Sequence, residues 1–321
     1  MNSRPILIVA GEPNSIFLEI LFKVYKLKKF KKPLILIASY KLLNLQMKKL
    51  NFKKKIKFLD EAKINEYKLN NNSINLIDIK YDTKKAFEKI SNKSNNYIKN
   101  CFNSALRLID KGFSNELING PISKKNFLAN KHLGITEYLA KKSNTKKFAM
   151  LIFNQKLSVS PITTHLPISE ISKKLNKKII SEKIILINDF YKKLFGFRPA
   201  IAVTGLNPHC ESVKKFNEDE KIVKPAIEYL SKQSIKIFGP YAADTIFLKK
   251  NRTKFNVIIG MYHDQVLTPI KTLYEYDAIN ITIGLPFLRV TPDHGPNESM
   301  VGKNISDPRS LIKAISFLDK K

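Results

Sequence analysis

The chain contains 321 residues, of which 43% are hydrophobic and 10% aromatic, so it can bury a large core and wholesale disorder is excluded. Its formal net charge is +30, but only six of the 57 basic residues are arginines, and the lysines are spread over all helical segments. This pattern favours a solvated, lysine-rich surface over a nucleic-acid site, although the positive field should attract anionic substrates.

Strand-like apolar runs recur along the whole chain. The predicted strands are 5–10, 33–38, 74–79, 116–120, 148–153, 157–162, 200–205, 235–239, 255–261 and 279–284. These runs are far shorter than the roughly 20 residues of a membrane helix, and the first is too short for a signal peptide. Two cysteines, Cys101 and Cys210, form no disulfide framework, so we predict a cytoplasmic protein with no membrane partner.

Segments with helical periodicity lie between several of these strands. They cover 83–112, 167–196, about 218–232 and the C-terminal stretch that opens with Asp307 and Pro308. Gly112 and Gly196 are suited to helix C-termini. The stretch 60–73 is typical of a loop, and no internal repeat is visible. Alternating strands and helices predict an α/β fold with a largely parallel sheet.

The spacing of the glycines excludes several nucleotide-binding motifs. No two of the eleven glycines are separated by a single residue, so neither a GxGxxG fingerprint nor a Walker A loop exists. A GxSxG nucleophile elbow is also missing. Any nicotinamide cofactor must therefore bind without the standard Rossmann turn.

Four of the five histidines follow predicted strands: His165, His209, His263 and His294, whereas His132 does not. Ligands in open α/β sheets bind beyond the carboxyl ends of strands, and three neutral imidazoles commonly hold a catalytic divalent ion. A single histidine in such a place is more often a hydrogen-bonded rim residue. Separations of 44 and 54 residues between the first three are no local metal signature, so both interpretations stay open.

Candidate anion-binding residues cluster late in the chain. Lys271 follows the run YHDQVLTPI, and Asn280 and Arg289 bracket INITIGLPFLR. Arginine is scarce here, so a fork-shaped contact with an anion is one interpretation of Arg289. A structural ion pair is an equally good one.

Taken together, these segments resemble the 4-hydroxythreonine-4-phosphate dehydrogenase family of pyridoxal phosphate biosynthesis. The matching motifs occur in family order over nearly the whole chain: GEP (11–13), NGPISK (119–124), GITEYLA (134–140), TTHLP (163–167), GLNPH (205–209), GPYAADTIF (239–247), YHDQ (262–265), NITIGLPFLR (280–289) and DHG (293–295).

The resemblance implies an isocitrate/isopropylmalate dehydrogenase-like α/β fold, with two domains, an interdomain cleft and a homodimer that shares its active sites. The first domain would comprise 1–125 and about 300–321. The second, 126–299, would carry the metal site and the dimer interface.

The resemblance also assigns roles to individual residues. It places the divalent-metal ligands on His165, His209 and His263, the last of them supplied by the second subunit. Substrate contacts fall on Thr136, Lys271, Asn280 and Arg289. Candidate catalytic or proton-handling groups are Asp244, Asp264 and Lys271.

The implied reaction is oxidation of 4-hydroxy-L-threonine 4-phosphate with NAD or NADP, followed by decarboxylation to 3-amino-2-oxopropyl phosphate. One divalent ion per site (Zn, Mg or Co) would ease removal of the proton from the 3-hydroxyl and stabilise the enolate. The partners implied are a second copy of the chain and a small phosphorylated substrate.

Several positions depart from the family pattern. Ile135 stands where the family motif Gly-His-Thr-Glu has a substrate-binding histidine, Val266 where a glycine usually follows HDQ, and Pro296 where a threonine usually follows DHG. The glycine-rich runs after GEP and after NPH are also lost. Because the metal and anion-binding sets survive, we predict a divergent but working enzyme.

Two other hypotheses remain open at this stage. Ile135 motivates a relative that oxidises another phosphorylated or hydroxylated four-carbon acid. The charge of +30 motivates a non-catalytic polyanion-binding protein.

Overall fold

The computed structural model describes residues 4–128, 134–212, 216–292 and 295–320. The chain divides into two compact units. Unit 1 comprises Met1–Ile135 and Pro286–Lys321, and unit 2 comprises Thr136–Leu285.

The N-terminal part of unit 1 combines strands with helices. Its elements are β1 (Ile6–Val9), α1 (Phe17–Leu27), β2 (Leu34–Ala38), α2 (Tyr40–Lys49), β3 (Ile56–Phe58), β4 (Ile74–Asp78), α3 (Asn95–Asp110) and β5 (Glu116–Asn119). Three of these elements, α1, α2 and β3, lie outside the predicted ones. Short helical turns cover Glu61–Glu66, Asn92–Ser94 and Lys124–Leu128.

Unit 2 begins in α4 and contains the strands that His165, His209 and His263 follow. Its elements are α4 (Ile135–Lys142), β6 (Ala149–Phe153), β7 (Ser158–Pro161), α5 (Ile168–Lys174), α6 (Lys177–Phe195), β8 (Ile201–Thr204), α7 (Lys224–Ser231), β9 (Ile237–Tyr241), α8 (Ala243–Ile246), α9 (Lys249–Arg252), β10 (Val257–Gly260), α10 (His263–Tyr274) and β11 (Ile279–Ile283). Helical turns cover Pro208–Cys210 and Asp219–Val223. The chain then returns to unit 1 with β12 (Leu288–Pro292), a turn at Glu298–Met300 and α11 (Arg309–Asp319).

The strands of unit 1 run in the order β3-β4-β2-β1-β5-β12 and pair in parallel. Strands β1 and β2 are buried along their whole length, which explains why they are unbroken apolar runs. Helix α3 packs against β1 and β2, and α11 packs against β12 and β5.

In unit 2 the strand order is β11-β6-β7-β10-β8-β9. The pairs β7–β10, β10–β8 and β8–β9 are parallel, whereas β6 is antiparallel to both β7 and β11. A buried apolar cluster contains Ile152, Val159, Ala202, Ile258 and Val266 among its members. Helix α10 packs against β7 and β10, two of the three strands that histidines follow.

Two expectations about local structure are wrong. The helical segment predicted over 83–112 is helical only from residue 92. Before that residue, side chains form hydrogen bonds with backbone groups that a helix would use. The Asn14 Oδ1 atom accepts the Glu88 amide at 2.9 Å, and the Thr83 hydroxyl donates to the Lys85 carbonyl. The helical segment predicted over 167–196 is divided into α5 and α6, because the Asn176 side chain caps the second helix by accepting the Ile179 amide at 3.0 Å. Strand β12, which pairs with β5, lies outside the predicted strands.

The ends of other elements agree with the expectations. The amide of Gly196, at φ 77°, closes α6 on the Lys192 carbonyl at 3.1 Å, and Gly112, at φ 71°, follows α3. The thiols of Cys101 and Cys210 are free. Among the described residues, no helix is long and apolar enough to cross a membrane.

Candidate functional site

Three histidines follow three neighbouring parallel strands of unit 2. Strand β10 lies between β7 and β8, with Ile258 opposite both Val159 and Ala202. His165 follows β7, His209 follows β8, and His263 begins the helix after β10. Parallel strands end at the same edge of a sheet, so these segments leave the sheet side by side.

The rings of His165 and His263 lie next to each other within one chain. Their centroids are 5.7 Å apart and the ring planes are inclined by 39°. Two imidazoles that bind one tetrahedral ion, each through a nitrogen about 2.1 Å from it, have ring centres roughly 5–6 Å apart. The separation of these two rings therefore fits a shared divalent ion.

His263 has a carboxylate partner that orients its ring. Its Nδ1–H donates to Asp264 Oδ1 at 2.6 Å, and the Asp264 side chain is otherwise 78% exposed. A carboxylate on Nδ1 selects the tautomer whose Nε2 is free to bind a metal and increases the basicity of that nitrogen. The donor chemistry of the pair thus also suits a divalent cation.

His209 lies apart from this pair. It is exposed and sits in the turn Pro208–Cys210 with a left-handed φ of 55°. Within the described residues, no group of three or more histidine, cysteine, aspartate or glutamate side chains is close enough to hold a metal ion. One chain in this conformation therefore supplies two of the three predicted ligands to a common position.

The segment that precedes His209 is held by a buried carboxylate that the sequence did not reveal. Asp219, only 1% exposed, accepts the Leu206 amide at 2.6 Å and the Asn207 amide at 3.0 Å. Burial raises the pKa of Cys210, and the negative charges of Asp219 and Asp244 raise it further. The thiol next to His209 is thus disfavoured as a thiolate.

Three of the predicted substrate contacts belong to unit 2. Thr136 is buried near the start of α4, with its Oγ1 3.5 Å from Thr282 Oγ1. Asn280, two residues before Thr282 on the same face of β11, has a buried Oδ1 for which the described residues provide no hydrogen-bond donor. Lys271 is exposed on α10, the helix that begins at His263.

Arg289, the fourth predicted contact, belongs to unit 1. Its side chain is 1% exposed on β12, and Nε–H donates to Asn119 Oδ1 at 2.8 Å. This bond fixes the orientation of the buried guanidinium, whose planar fork carries five N–H donors. A structural role and a binding role are both compatible with this geometry.

The remaining candidates are placed as follows. Asp244 is exposed on α8, and Ile135 is half-buried at the start of α4. His132 and His294 lie outside the described residues.

Two further side chains near His165 escaped the sequence interpretation. Glu137 Oε1 accepts the Thr164 hydroxyl at 3.3 Å, and its Oε2 is buried without a partner among the described residues. Lys183 on α6 donates to the Ile162 carbonyl at 2.7 Å, and burial, opposed by the Glu137 charge, lowers its pKa to about 8. Only their contacts with the segment 162–164 reveal these two residues, and such contacts exist only in the folded chain.

The two-unit α/β architecture defines the fold class of this protein. Its fold is that of the isocitrate dehydrogenases: the enzyme from Methylococcus capsulatus aligns over 99% of this chain and 86% of its own, with a TM-score of 0.50 and 10% identity. Residues 29–318 match the family model described as "Pyridoxal phosphate biosynthetic protein PdxA", and the chain belongs to that family.

Individual relatives agree with this assignment. The chain is 36% identical to a 4-hydroxythreonine-4-phosphate dehydrogenase of Sulfurihydrogenibium sp. (strain YO3AOP1), over 97% of this chain and 96% of the relative. A crystal structure of 4-hydroxythreonine-4-phosphate dehydrogenase from Klebsiella pneumoniae aligns with a TM-score of 0.84 and 26% identity. That alignment covers 99% of this chain and 97% of the other.

Proposed function

We propose that this protein is a metal-dependent, NAD(P)-linked dehydrogenase that converts 4-hydroxy-L-threonine 4-phosphate to 3-amino-2-oxopropyl phosphate in pyridoxal phosphate biosynthesis. The observation that carries the proposal is the ring pair of His165 and His263 at strand ends, in a chain that belongs to the PdxA family. The names of full-length relatives supply the substrate.

The metal site is built from His165 and His263 of one chain, with His209 as the third ligand. A divalent ion held there would lower the cost of ionising the substrate hydroxyl. Asp264 orients the His263 ring for this role. Because His165 and His263 approach each other within one chain and His209 does not join them, we assign the ligand from a second subunit to His209 rather than to His263.

The proposed substrate contacts are charged and polar side chains that the family resemblance assigns to this role. Lys271 and Arg289 are cations suited to the phosphate and carboxylate, while Thr136 and Asn280 provide neutral polar atoms. The unpartnered Oδ1 of Asn280 can accept a hydrogen bond from a substrate hydroxyl or ammonium group. These contacts use binding energy remote from the reacting carbon to orient it.

Proton handling and hydride transfer complete the proposed reaction. Asp244, which lies in the matching motif GPYAADTIF, and Lys271, which follows YHDQ on α10, are assigned to proton handling, and both are exposed to solvent. The hydride acceptor is a nicotinamide dinucleotide, bound without a GxGxxG turn. A cytoplasmic location stays a prediction from the cysteine content.

The alternatives have less support. An enzyme for another four-carbon acid phosphate is motivated by Ile135 and by a relative named D-threonate 4-phosphate dehydrogenase, which is 34% identical over 68% of this chain. The relative that matches 97% of this chain is named for 4-hydroxythreonine 4-phosphate, which favours that substrate. The polyanion-binding hypothesis rests on charge alone, and the matched relatives are dehydrogenases.

The decisive measurement is NAD(P) reduction by the purified protein with 4-hydroxythreonine 4-phosphate and, separately, with four-carbon sugar-acid phosphates. We expect turnover of the first substrate, abolished by a chelator and restored by a divalent ion. His209→Ala should lower activity at least about 100-fold at ordinary metal concentrations, because two imidazoles hold a divalent ion poorly. Full turnover of this variant in the presence of chelator would refute the proposal.

A further inference from the structure

Gln265 is a buried side chain in the first turn of α10, two residues after His263, and its amide is almost fully bonded. Oε1 accepts the Met261 amide at 2.7 Å and the Thr204 hydroxyl at 2.8 Å, while Nε2 donates to the Gly205 carbonyl at 2.7 Å. Three of the four hydrogen-bonding positions of the amide are used. Because a backbone amide only donates and a carbonyl only accepts, these partners determine which way the side-chain amide is turned.

The partners of Gln265 lie in two different histidine-bearing segments. Met261 ends the segment from β10 and precedes His263 by two residues, whereas Gly205 ends the segment from β8 and precedes His209 by four. One side chain thus joins the exits of two neighbouring parallel strands.

The Met261 peptide extends this connection to the third segment. Its amide donates to Gln265, and its carbonyl accepts both the Thr163 amide at 3.1 Å and the Thr163 hydroxyl at 2.7 Å. Thr163 precedes His165 by two residues. A continuous series of hydrogen bonds therefore runs through Gln265 and Met261 and connects the segments of His165, His209 and His263.

Close packing around Gln265 depends on a glycine. A Cβ atom on Gly260 would lie 2.5 Å from Val266 Cγ1 and 3.1 Å from Gln265 Oε1. Any side chain at position 260 would push the first turn of α10 away from the strand. The sequence thus leaves room for Gln265 to reach the backbone.

We propose that Gln265 is a positioning residue for the divalent-ion site. In each chain it sets the backbone placement of the His165 and His263 segments, which serve that chain's site, and of the His209 segment, which serves the site of the second subunit, and it thereby sets the affinity for the ion. This inference rests on the metal site of the proposed function. The three hydrogen bonds of Gln265 go to Thr204, Met261 and Gly205 and not to a histidine ring. Gln265 acts through the backbone from which the rings project.

The test is the affinity of the metal-free, full-length protein for Zn²⁺ alone, measured by titration calorimetry without substrate or cofactor. Gln265→Met keeps the length of the side chain and removes all three hydrogen bonds. We expect it to weaken Zn²⁺ binding by about 10- to 100-fold, the usual effect of losing a group that orients metal ligands. Excess Zn²⁺ should restore most of kcat.

Gln46→Met is the matched control. Gln46 is a fully buried amide of unit 1 whose Nε2 donates to the Pro13 and Ala86 carbonyls at 3.0 and 2.9 Å. Its loss should lower the unfolding temperature as the loss of Gln265 does, because both variants leave buried backbone groups unbonded. Zn²⁺ affinity should stay at the wild-type value, which separates positioning from general stability.

A milder variant covers the case in which Gln265→Met does not fold. Thr204→Val is nearly isosteric, removes one bond to Gln265 Oε1 and should weaken Zn²⁺ binding by a smaller factor, about threefold. Equal Zn²⁺ affinity of the wild-type protein and the folded Gln265 variant would overturn the inference and leave the proposed function standing. If the Gln265 variant does not fold, the Thr204 variant is compared with the wild type in the same way. If the wild-type protein binds no divalent ion, the metal site itself is refuted and the inference falls with it.

Discussion

Ile135 begins α4 directly before Thr136. The family resemblance predicts a substrate-binding histidine at this position. The aliphatic side chain of Ile135 cannot donate a hydrogen bond to a phosphate. We predict that Ile135→His lowers KM for the phosphorylated substrate about tenfold, because a hydrogen bond to a charged group contributes roughly 1.5–3 kcal/mol. Steady-state kinetics, with Ile135→Leu as control, checks this. An unchanged or higher KM would remove Ile135 as a cause of altered specificity.

Lys183 predicts a distinct dependence of stability on pH. Burial lowers its pKa in the folded protein to about 8, below the ordinary value of 10.5. Between these two values the unfolded chain binds more protons, so stability rises with pH through this window. Below about pH 8 the buried ammonium costs the folded state its full penalty, at most about 3 kcal/mol.

We therefore expect Lys183→Met to raise the free energy of unfolding at pH 7, by an amount that shrinks as the pH rises from about 8 to 10.5. Urea denaturation of the variant and the wild type across this range measures the difference. Lys178→Met, an exposed position on the same helix, is the control and should show no such trend. A difference that is constant with pH would contradict the assignment to Lys183.

At the scale of elements, the site depends on how three strand exits are held. The exit of β8 is the least regular, because the chain makes a turn with left-handed φ values at both His209 and Cys210. Asp219, at the start of the turn before α7, holds this exit by accepting two consecutive backbone amides. The exits of β7 and β10 are instead tied directly to each other through Thr163 and Met261.

Asp219→Asn replaces one acceptor by an NH₂ group that faces a backbone N–H. We predict a loss of about 2 kcal/mol in the free energy of unfolding, typical of charge-assisted buried hydrogen bonds, and faster hydrogen exchange at residues 206 and 207. Urea denaturation and exchange mass spectrometry measure the two effects. Glu220→Gln, the neighbouring residue in an exposed pair with Lys224, should cost less than about 1 kcal/mol. Equal stability of both variants would show that Asp219 does not hold the exit.

At the scale of the whole molecule, the proposed metal site requires a third ligand, which one chain does not bring to the His165–His263 pair. The proposal that His209 comes from a second subunit can be tested by mixing inactive variants. His165→Ala and His209→Ala chains, co-refolded in equal amounts, should recover about a quarter of wild-type activity, because half of the dimers are mixed and each has one intact site.

The matched mixture is His165→Ala with His263→Ala. Both ligands come from the same chain in the proposed arrangement, so no dimer of this mixture contains an intact site and activity should stay at the background. Recovery in this second mixture, and none in the first, would assign His263 to the second subunit instead.

Much of the fold and part of the candidate site can be predicted from the sequence, because they depend on the hydrophobicity and conformational preferences of neighbouring residues. Short apolar runs bounded by polar residues mark β1, β2, β4, β5, β7, β8 and β10, since a strand buried on both faces needs no polar alternation. The histidines follow three of these runs directly, so their place at strand exits was predictable. Gly196 ends α6 because glycine accepts the left-handed conformation without strain.

Only the tertiary structure decided which strand exits are neighbours and which side chains hold them. The position of β10 between β7 and β8, which places His263 beside His165, is a matter of pairing between segments far apart in the chain. The same holds for β12, whose partner β5 lies some 170 residues earlier, and for the reach of Gln265 to Gly205. The local sequence does not predict such partners, because hydrogen bonds and burial across a sheet depend on which distant segments of the chain pack next to each strand.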